Sequence, residues 1–219
     1  MTAREASDSM LLSGDDFRRR ALARLPVEPP PPVLPSGIVP GGDHALNQRG
    51  LPQHIIAGAR PAAVLVPVVL HTTGATILLT QRTAQMRKHS GQIAFPGGKV
   101  DEPGETALEA ALRETREEIG LAARHIEPLG YLDPYFTVTG YRVIPVIAMV
   151  RPPFDLTPNA DEVADVFEVP LDFLMEPANH HLVERKEDGR RFYAMPFGER
   201  YIWGATAGIL RHLYERLYQ

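Results

Sequence analysis

Residues 97–121 read GGKVDEPGETALEAALRETREEIGL, and the spacing of their side chains decides the fold prediction. Between Thr106 and Ile119, apolar or small residues recur at intervals of three and four, which is typical of a helix that buries one face. Thr106 and Glu109 form the Thr-x-x-Glu pattern of a capping box, and Gly120 supplies a helix stop. The stretch therefore predicts one amphipathic helix that follows a glycine-containing loop.

This helix carries three carboxylates on one edge, because Glu117 and Glu118 follow Glu114 by three and four residues. Like charges at that spacing destabilise an isolated helix by roughly a few tenths of a kcal/mol per pair, so a cation is expected among them. Mg²⁺ and Mn²⁺ take oxygen ligands of this kind, commonly together with substrate phosphates. The alternative is a solvated helix face on which Arg113 bridges Glu109 and Glu117.

The loop before the helix favours the metal site over the solvated face. Phe95-Pro96-Gly97-Gly98 ends a short strand, and glycine allows the backbone to approach a ligand closely. A strand, a glycine turn and a carboxylate-lined helix in one stretch predict a site for a phosphate together with a metal ion.

The stretch resembles the Nudix box, Gly-x5-Glu-x7-Arg-Glu-U-x-Glu-Glu-x-Gly-U, in which U is an aliphatic residue. Glu105 and residues 113–121 reproduce the second part of this pattern. There are two departures: six residues rather than five separate Gly98 from Glu105, and Thr115 replaces an aliphatic residue. The extra residue lies before the capping box, so it affects the role of Glu105 more than the roles of the helix carboxylates.

A second pattern lies directly upstream, where residues 78–98 read LLTQRTAQMRKHSGQIAFPGG. It is similar to the motif of the coenzyme A pyrophosphatases within the Nudix superfamily, Leu-Leu-Thr-x-Arg-Ser-x3-Arg-x3-Gly-x-Val-x-Phe-Pro-Gly-Gly. This chain departs from that motif at Thr83, which replaces Ser, and at Ile93, which replaces Val. The same branch tolerates the longer loop before Glu105.

The resemblance implies an α/β fold of the α+β type, an α/β/α sandwich around a mixed β-sheet. It also implies metal-dependent hydrolysis of the diphosphate bond of coenzyme A or acyl-coenzyme A, which yields 3′,5′-ADP and 4′-phosphopantetheine or its acyl form. Two alternatives stay open: the same chemistry on ADP-ribose or NADH, and a nucleotide-binding domain without catalysis. The expected partner is a small nucleotide substrate of the coenzyme A class.

The resemblance also assigns roles to single residues. The ligands of Mg²⁺ or Mn²⁺ would be Glu114, Glu117, Glu118 and the carbonyl of Gly98. Glu117 and Glu118 would thereby belong to the catalytic machinery. Arg113 would hold a helix carboxylate in place with Glu105 as its partner, and ordinary pairing along a helix is the alternative for both.

A base must take a proton from the attacking water. In relatives this base is either a glutamate of the helix or a carboxylate on a later loop. The loop at 159–163, just before a predicted strand, offers Glu162 as the base or as a further metal ligand. Asp161 is the rival, and an exposed loop acid without a role is the alternative.

Arginines of the upstream motif are candidates for binding substrate phosphates, because guanidinium groups form paired hydrogen bonds with phosphate oxygens. Arg82 and Arg87 lie five residues apart in a locally basic segment of an acidic chain. The backbone of Gly97 and Gly98 completes the predicted substrate-binding set. Pairing of Arg87 with surface acids is the alternative.

Outside these motifs, residues 1–60 are predicted to be an N-terminal arm, with a helix at 15–25 and a Pro-rich strap, that packs on a domain at 61–219. A disordered linker is the alternative, and the arm could form a homodimer contact or a lid over the site. The strands predicted in the domain are 63–70, 75–81, 92–95, 131–136, 141–150, 163–169, 191–195 and 199–203, and a final helix is predicted at 205–217.

Composition excludes several classes of protein. The chain has 27 acidic and 23 basic residues and a net charge of −4, which argues against nucleic acid or an anionic membrane as partner. No run approaches the roughly 20 apolar residues of a membrane span, and the acidic start is unlike a signal peptide, so a cytoplasmic protein is expected. With no cysteine, a metal must use oxygen or imidazole ligands. The adjacent His180 and His181 are expected to be solvent-exposed rather than ligands.

Overall fold

Two β-sheets and four α-helices form the described part of the chain, which in this computed structural model comprises residues 13–31, 41–47, 56, 58–84, 91–101 and 104–219. The helices are α1 (Gly14–Arg24), α2 (Ala107–Ile119), α3 (Leu171–Met175) and α4 (Ala205–Tyr218). The strands are β1 (Arg60–His71), β2 (Gly74–Arg82), β3 (Ile93–Ala94), β4 (Gly97–Lys99), β5 (Ile126–Tyr131), β6 (Tyr135–Phe136), β7 (Tyr141–Val150), β8 (Val163–Pro170), β9 (His181–Glu184), β10 (Arg191–Phe197) and β11 (Arg200–Trp203). None of the described helices is long and apolar enough to cross a membrane.

Strand β1 lies in the middle of the larger sheet. The strand order is β3-β2-β1-β7-β5, with β4 paired to β1, β6 to β7 and β8 to β2. β1 runs parallel to β7, from Arg60 opposite Tyr141 to Val69 opposite Val150, whereas the other pairings are antiparallel. The mixed sheet that the sequence predicts is therefore confirmed.

Helices cover both faces of this sheet. Successive residues of β1 point to opposite faces, so each face contributes to its own buried cluster. Ala63 and Leu65 lie in a buried cluster with Ala107, Ala110 and Ala111 of α2. Alternate residues of the same strand belong to a second cluster, which they share with side chains of α1, α3 and α4. The result is the α/β/α sandwich that was expected.

Helix α2 has the ends that the sequence predicts. The Thr106 hydroxyl accepts a hydrogen bond from the Glu109 N–H at 3.2 Å, and the Glu109 carboxylate accepts one from the Thr106 N–H at 2.8 Å. Gly120 ends the helix in the left-handed conformation, with φ of 72°. Thr115 is fully buried, and its hydroxyl donates to the Ala111 carbonyl at 2.6 Å, so this residue enters the core without an unpaired polar group.

Several elements depart from the predicted strands. The strand predicted at 131–136 is divided between the end of β5 and the short β6, because Pro134 lies between them and lacks an N–H for a ladder hydrogen bond. Residues 97–99, predicted as a loop, form β4. Strand β9 and helix α3 are too short to show a period in the sequence and are not among the predicted elements.

Helix α1 packs against the same core as α4. Phe17 and Ala21 are fully buried. Arg18 forms an ion pair with Glu127 of β5 at 2.6 Å. Farther along, the guanidinium of Arg142 donates to the Pro31 carbonyl at 2.5 Å. These contacts join residues 18 and 31 to the larger sheet. The arm at 1–60 as a unit stays a prediction, since most of residues 32–57 lie outside the described part of the chain.

His180 is buried, which corrects the expectation that both adjacent histidines are exposed; His181 alone is exposed. The Nε2 atom of His180 lies 2.7 Å from the Leu174 carbonyl oxygen, and its ring meets the ring of Tyr214 edge-on. Burial lowers the pKa of His180, and the charge of Arg211 lowers it further, against the opposing effect of the Leu174 contact.

We expect His180 to lower the free energy of unfolding as the pH falls below about 6.5, because the unfolded chain then binds a proton at His180 more readily than the folded chain does. Relative to the parent chain, the Tm of His180→Gln should therefore rise as the pH falls from about 7.5 to about 5.5. The matched control is His181→Gln, at the exposed neighbour. Thermal melts followed by circular dichroism test this, and an unchanged slope in His180→Gln would contradict it.

Candidate active site

Strand β4 brings Gly97 and Gly98 between strand β1 and helix α2. Gly97 pairs with Val64 of β1, and Gly98 pairs with Ala63. At Gly97, where φ is +151°, a Cβ would lie 2.4 Å from the Ala63 carbonyl oxygen. At Gly98, a Cβ would lie 2.4 Å from the carboxylate of Glu114. Glycine therefore allows the loop backbone and a helix carboxylate to come together.

Glu118 is the most buried of the three helix carboxylates, with 3% of its side chain exposed. Its Oε2 atom accepts the N–H of Gly97 at 3.0 Å, and its Oε1 atom lies 3.4 Å from Nη1 of Arg82. Burial raises the pKa of the Glu118 carboxyl to about 7, and the charges of Glu114 and Glu162 add to the rise. The two polar contacts oppose this rise without cancelling it.

Arg113 holds three carboxylates with one guanidinium group. Its Nε atom donates to Glu105 at 2.8 Å, and its Nη1 atom donates to Glu114 at 3.0 Å and to Glu117 at 3.3 Å. Its Nη2 atom donates to the Lys99 carbonyl at 3.0 Å, at the end of β4. The hydrogen bond to Glu105 is the main cause that raises the pKa of Arg113. The structure thus places Glu105 beside Arg113, despite the longer loop before it.

The three helix carboxylates do not share one environment. The side chain of Glu117 is 59% exposed, that of Glu114 is 16% exposed, and Glu118 is buried. Burial raises the pKa of Glu114, and its contacts with Arg113 oppose that rise. Glu109, which the solvated-face alternative pairs with Arg113, instead caps the helix. The exposure of the three carboxylates therefore decreases from Glu117 through Glu114 to Glu118, rather than being equal along the edge of the helix.

The loop before β8 is anchored beside the end of α2. The Asn159 N–H donates to the Glu118 carbonyl at 2.8 Å, and the Thr83 N–H donates to the Glu162 carbonyl at 2.9 Å. The Thr83 hydroxyl donates to the Asp161 carbonyl at 3.2 Å. Glu162 is half-buried and Asp161 is exposed. The charge of Glu162 is close enough to Glu118 to raise its pKa.

The structure describes only one of the two arginines of the upstream motif. Arg82 ends β2, is 22% exposed, and directs its guanidinium toward Glu118. Its Nε atom is buried and has no hydrogen-bond partner among the described residues. Arg87 lies outside the described part of the chain, so its role stays a prediction.

The donor chemistry of the site fits a hard divalent cation. Carboxylates of Glu114 and Glu118 flank the backbone at Gly97–Gly98, and their raised pKa values indicate that a positive charge between them would be favourable. As the described residues are arranged, no three His, Asp or Glu side chains converge as a metal site. In this arrangement Arg82 pairs with Glu118 and Arg113 pairs with Glu114.

Sequence reasoning missed the groups that support these carboxylates. The Gly97 N–H is a direct partner of Glu118, and Thr83 and Asn159 fix the Glu162 loop. Thr83 could have been found from its place beside Arg82 in the upstream motif. Asn159 could not, because its contact with the end of α2 depends on the fold.

Comparison with known proteins places the chain in a family. A family model described as NUDIX domain matches residues 59–188. The uncharacterized Nudix hydrolase NudL of Pectobacterium atrosepticum is 41% identical over 156 residues, which cover 70% of this chain and 81% of that relative. NudL of Escherichia coli (strain K12) is 41% identical over the same shares. Among solved structures, the Nudix hydrolase RenU from M. smegmatis is similar with a TM-score of 0.44 and 27% identity, over 52% of this chain and 71% of that one.

The chain therefore belongs to the NUDIX domain family. It is a Nudix hydrolase, a pyrophosphohydrolase that acts on small nucleotide derivatives and needs a divalent metal ion. The names of these relatives specify no substrate. The family match ends at residue 188, so β10, β11 and α4 lie beyond it.

The raised pKa of Glu118 has a consequence for stability. Its carboxyl is ionised in the unfolded chain above about pH 4.5 but resists ionisation in the fold, so stability is lost as the pH rises from about 4.5 to about 7. In EDTA at pH 8, Glu118→Gln should therefore raise Tm by about 3–8 °C. At about pH 5 the same change should have little effect.

The matched control for this prediction is Glu117→Gln, at the exposed neighbouring residue. This change should leave Tm the same as in the parent chain, both at pH 8 and at about pH 5. Differential scanning calorimetry provides the measurement. A lower Tm of Glu118→Gln at pH 8 would show that the contacts with Gly97 and Arg82 outweigh the burial of the charge.

Proposed function

We propose that this Nudix hydrolase cleaves the diphosphate bond of coenzyme A or acyl-coenzyme A and releases 3′,5′-ADP and 4′-phosphopantetheine or its acyl form. The observation that carries the proposal is the contact of Arg82 with Glu118 at 3.4 Å. It joins the upstream motif, which is similar to that of the coenzyme A pyrophosphatases, to the Nudix helix. The same motif ends in the glycine loop at Gly97–Gly98, so Arg82 and the glycine loop of one motif both lie at the carboxylates.

The carboxylate cluster is the proposed metal site for Mg²⁺ or Mn²⁺, with the ligands Glu114, Glu117, Glu118 and the Gly98 carbonyl. When bound, the ion neutralises the diphosphate oxygens and lowers the pKa of a bound water. Arg113 acts as a positioning residue, because it holds Glu114 and Glu117 while Glu105 and the Lys99 carbonyl fix its own orientation.

Glu162 is the proposed base. Its loop is tied to the end of α2 through Asn159 and to the end of β2 through Thr83, which holds the carboxylate beside Glu118. Glu162 takes a proton from the attacking water, whose oxygen bonds to one phosphorus of the diphosphate. The bridging oxygen leaves with the other phosphate. A helix glutamate is the alternative base, and Asp161 is the alternative within the loop.

Arg82 and Arg87 are the proposed partners of the substrate phosphates, and the 3′-phosphate of coenzyme A offers such a group besides the diphosphate. The contact of Arg82 with Glu118 is long at 3.4 Å, so Arg82 would be able to turn from Glu118 toward the substrate phosphates. The backbone of Gly97 and Gly98 leaves room for the diphosphate. A second copy of the chain as partner of the arm at 1–60 stays a prediction.

A hydrolysis panel with Mg²⁺ tests the proposed function. We expect the specificity constant for coenzyme A to exceed that for 3′-dephospho-coenzyme A, ADP-ribose and NADH by roughly several-hundred-fold, since a site that pairs with a charged group rejects a substrate lacking it. Glu118→Gln should abolish turnover of all four.

Each other outcome of the panel has a defined meaning. Preference for ADP-ribose or NADH would contradict the coenzyme A assignment and retain the metal helix. Tight binding of coenzyme A without turnover would favour the binding-domain alternative for this substrate. If Arg87→Ala leaves the preference for coenzyme A over its 3′-dephospho form unchanged, the proposed role of Arg87 is wrong.

The proposed base predicts a difference between two neighbouring acids. Glu162→Gln should lower kcat by roughly 100-fold or more while KM changes little, because general base catalysis contributes about 10²–10⁴-fold. Asp161→Asn, a matched change at the exposed neighbour, should keep most of the turnover. Steady-state kinetics decide the question. Loss of turnover in Asp161→Asn instead would transfer the role, and near-normal turnover in both would leave a helix glutamate as base.

A further inference from the structure

A cleft of about 470 Å³ lies between the end of β2 and the hairpin formed by β10 and β11. Volumes of roughly 300–1,000 Å³ are usual for small-molecule sites. Its wall includes Gln81, Gly91, Glu199, Arg200, Tyr201 and Trp203. Polar side chains and aromatic rings both line this cleft, and most of its exposed lining is polar.

Trp203 and Tyr201 are large aromatic side chains that remain exposed, by 38% and 46%. They lie two residues apart on β11 and therefore on the same face of that strand. The ring of Trp203 is braced by Phe192 of β10, with the centroids 5.4 Å apart. An exposed aromatic ring held at the wall of a cleft is typical of a ligand-binding surface.

Arg200 is fixed at the polar side of the cleft. Its guanidinium donates to the side chains of Gln81 and Asp165, and lies over the ring of Phe167 at 4.3 Å. The neighbouring Glu199 is exposed and adds a carboxylate acceptor. The cleft thus combines amide, guanidinium and carboxylate groups with exposed aromatic rings. Such a lining suits a planar heteroaromatic ring with polar edges better than a hydrocarbon chain.

The cleft lies beside the candidate active site along strand β2. Gln81 directly precedes Arg82, which contacts Glu118, and pairs with Ile93 of β3, the strand that leads into the glycine loop. The Thr206 hydroxyl donates to the Ile93 carbonyl at 2.9 Å, which ties α4 to the same strand. The hairpin lies beyond the family match at 59–188. The hairpin thus lies outside the matched range but meets the residues within it at β2 and β3.

We propose that this cleft binds the purine base of the nucleotide substrate, stacked on Trp203, with Tyr201 beside it and Glu199 accepting from an exocyclic amine. The proposal rests on the proposed function and deepens it, because it assigns the nucleoside half of coenzyme A to the hairpin and directs the pantetheine half elsewhere. Stacking of a base on an aromatic ring is tolerant of the base and depends mainly on the ring.

Trp203 is the only tryptophan in the chain, so its fluorescence reports on the cleft directly. The full chain is titrated in Mg²⁺ with adenosine 3′,5′-bisphosphate and, separately, with 4′-phosphopantetheine. Neither compound contains a diphosphate bond, so neither is consumed. Saturable quenching by the adenosine compound and none by 4′-phosphopantetheine supports the proposal. Quenching by 4′-phosphopantetheine alone, or by neither compound, overturns it.

Kinetics with coenzyme A provide the second test. Trp203→Ala should raise KM by roughly 5- to 100-fold, with kcat within about twofold of the parent, since the base does not react. Trp203→Phe keeps a ring and should restore most of the affinity. The matched control is Leu182→Ala, which removes another exposed apolar side chain from the same small sheet, on β9. A loss of kcat at unchanged KM in Trp203→Ala and Trp203→Phe would overturn the assignment.

The two tests separate this inference from the proposed function. Hydrolysis of coenzyme A with no effect of Trp203→Ala overturns the base subsite alone. Quenching by adenosine 3′,5′-bisphosphate in a chain that does not hydrolyse coenzyme A supports the subsite and overturns the proposed function.

Discussion

No side chain fits between strand β1 and helix α2 at Gly97 and Gly98, and the active site depends on that constraint. Because the backbone of β4 lies against the helix, the Gly97 N–H reaches Glu118 and the Lys99 carbonyl reaches Arg113. Small residues on the buried face of α2 allow the same closeness along the rest of β1. A larger residue at Gly97 would push β4 away from the backbone of β1, and one at Gly98 would displace the carboxylate of Glu114.

The close approach of β4 to α2 arranges the charges of the site but lowers the stability of the fold. Glu118 is buried by the packing that brings it to the loop, and its carboxyl resists ionisation as a result. Arg82 offsets only part of that effect at 3.4 Å. Glu105, in contrast, is held by a short hydrogen bond with Arg113, which makes the solvent side of the cluster well paired. Functional sites commonly retain such unfavourable charge at the expense of stability.

The sequence was sufficient for features that are set locally. The limits of α2 follow from Thr106, Glu109 and Gly120. The depth of Glu118 could not be predicted, because periodicity assigns a carboxylate to the polar face, whereas the groups that cover it come from distant segments. His180 was misjudged for the same reason, since its partners are a backbone carbonyl and a ring of α4. The metal and base assignments depend on resemblance and await the tests described.

The contact between the first and last described helices joins residues that are far apart in the chain. Arg20 of α1 donates to the Leu217 carbonyl at 3.3 Å, and Arg24 donates to the Arg216 carbonyl at 3.3 Å. During synthesis on the ribosome, α1 emerges long before those carbonyls exist. Helix α1, the first described helix, therefore cannot complete these contacts until residue 217 has been made, so it is among the last of the described elements to dock fully.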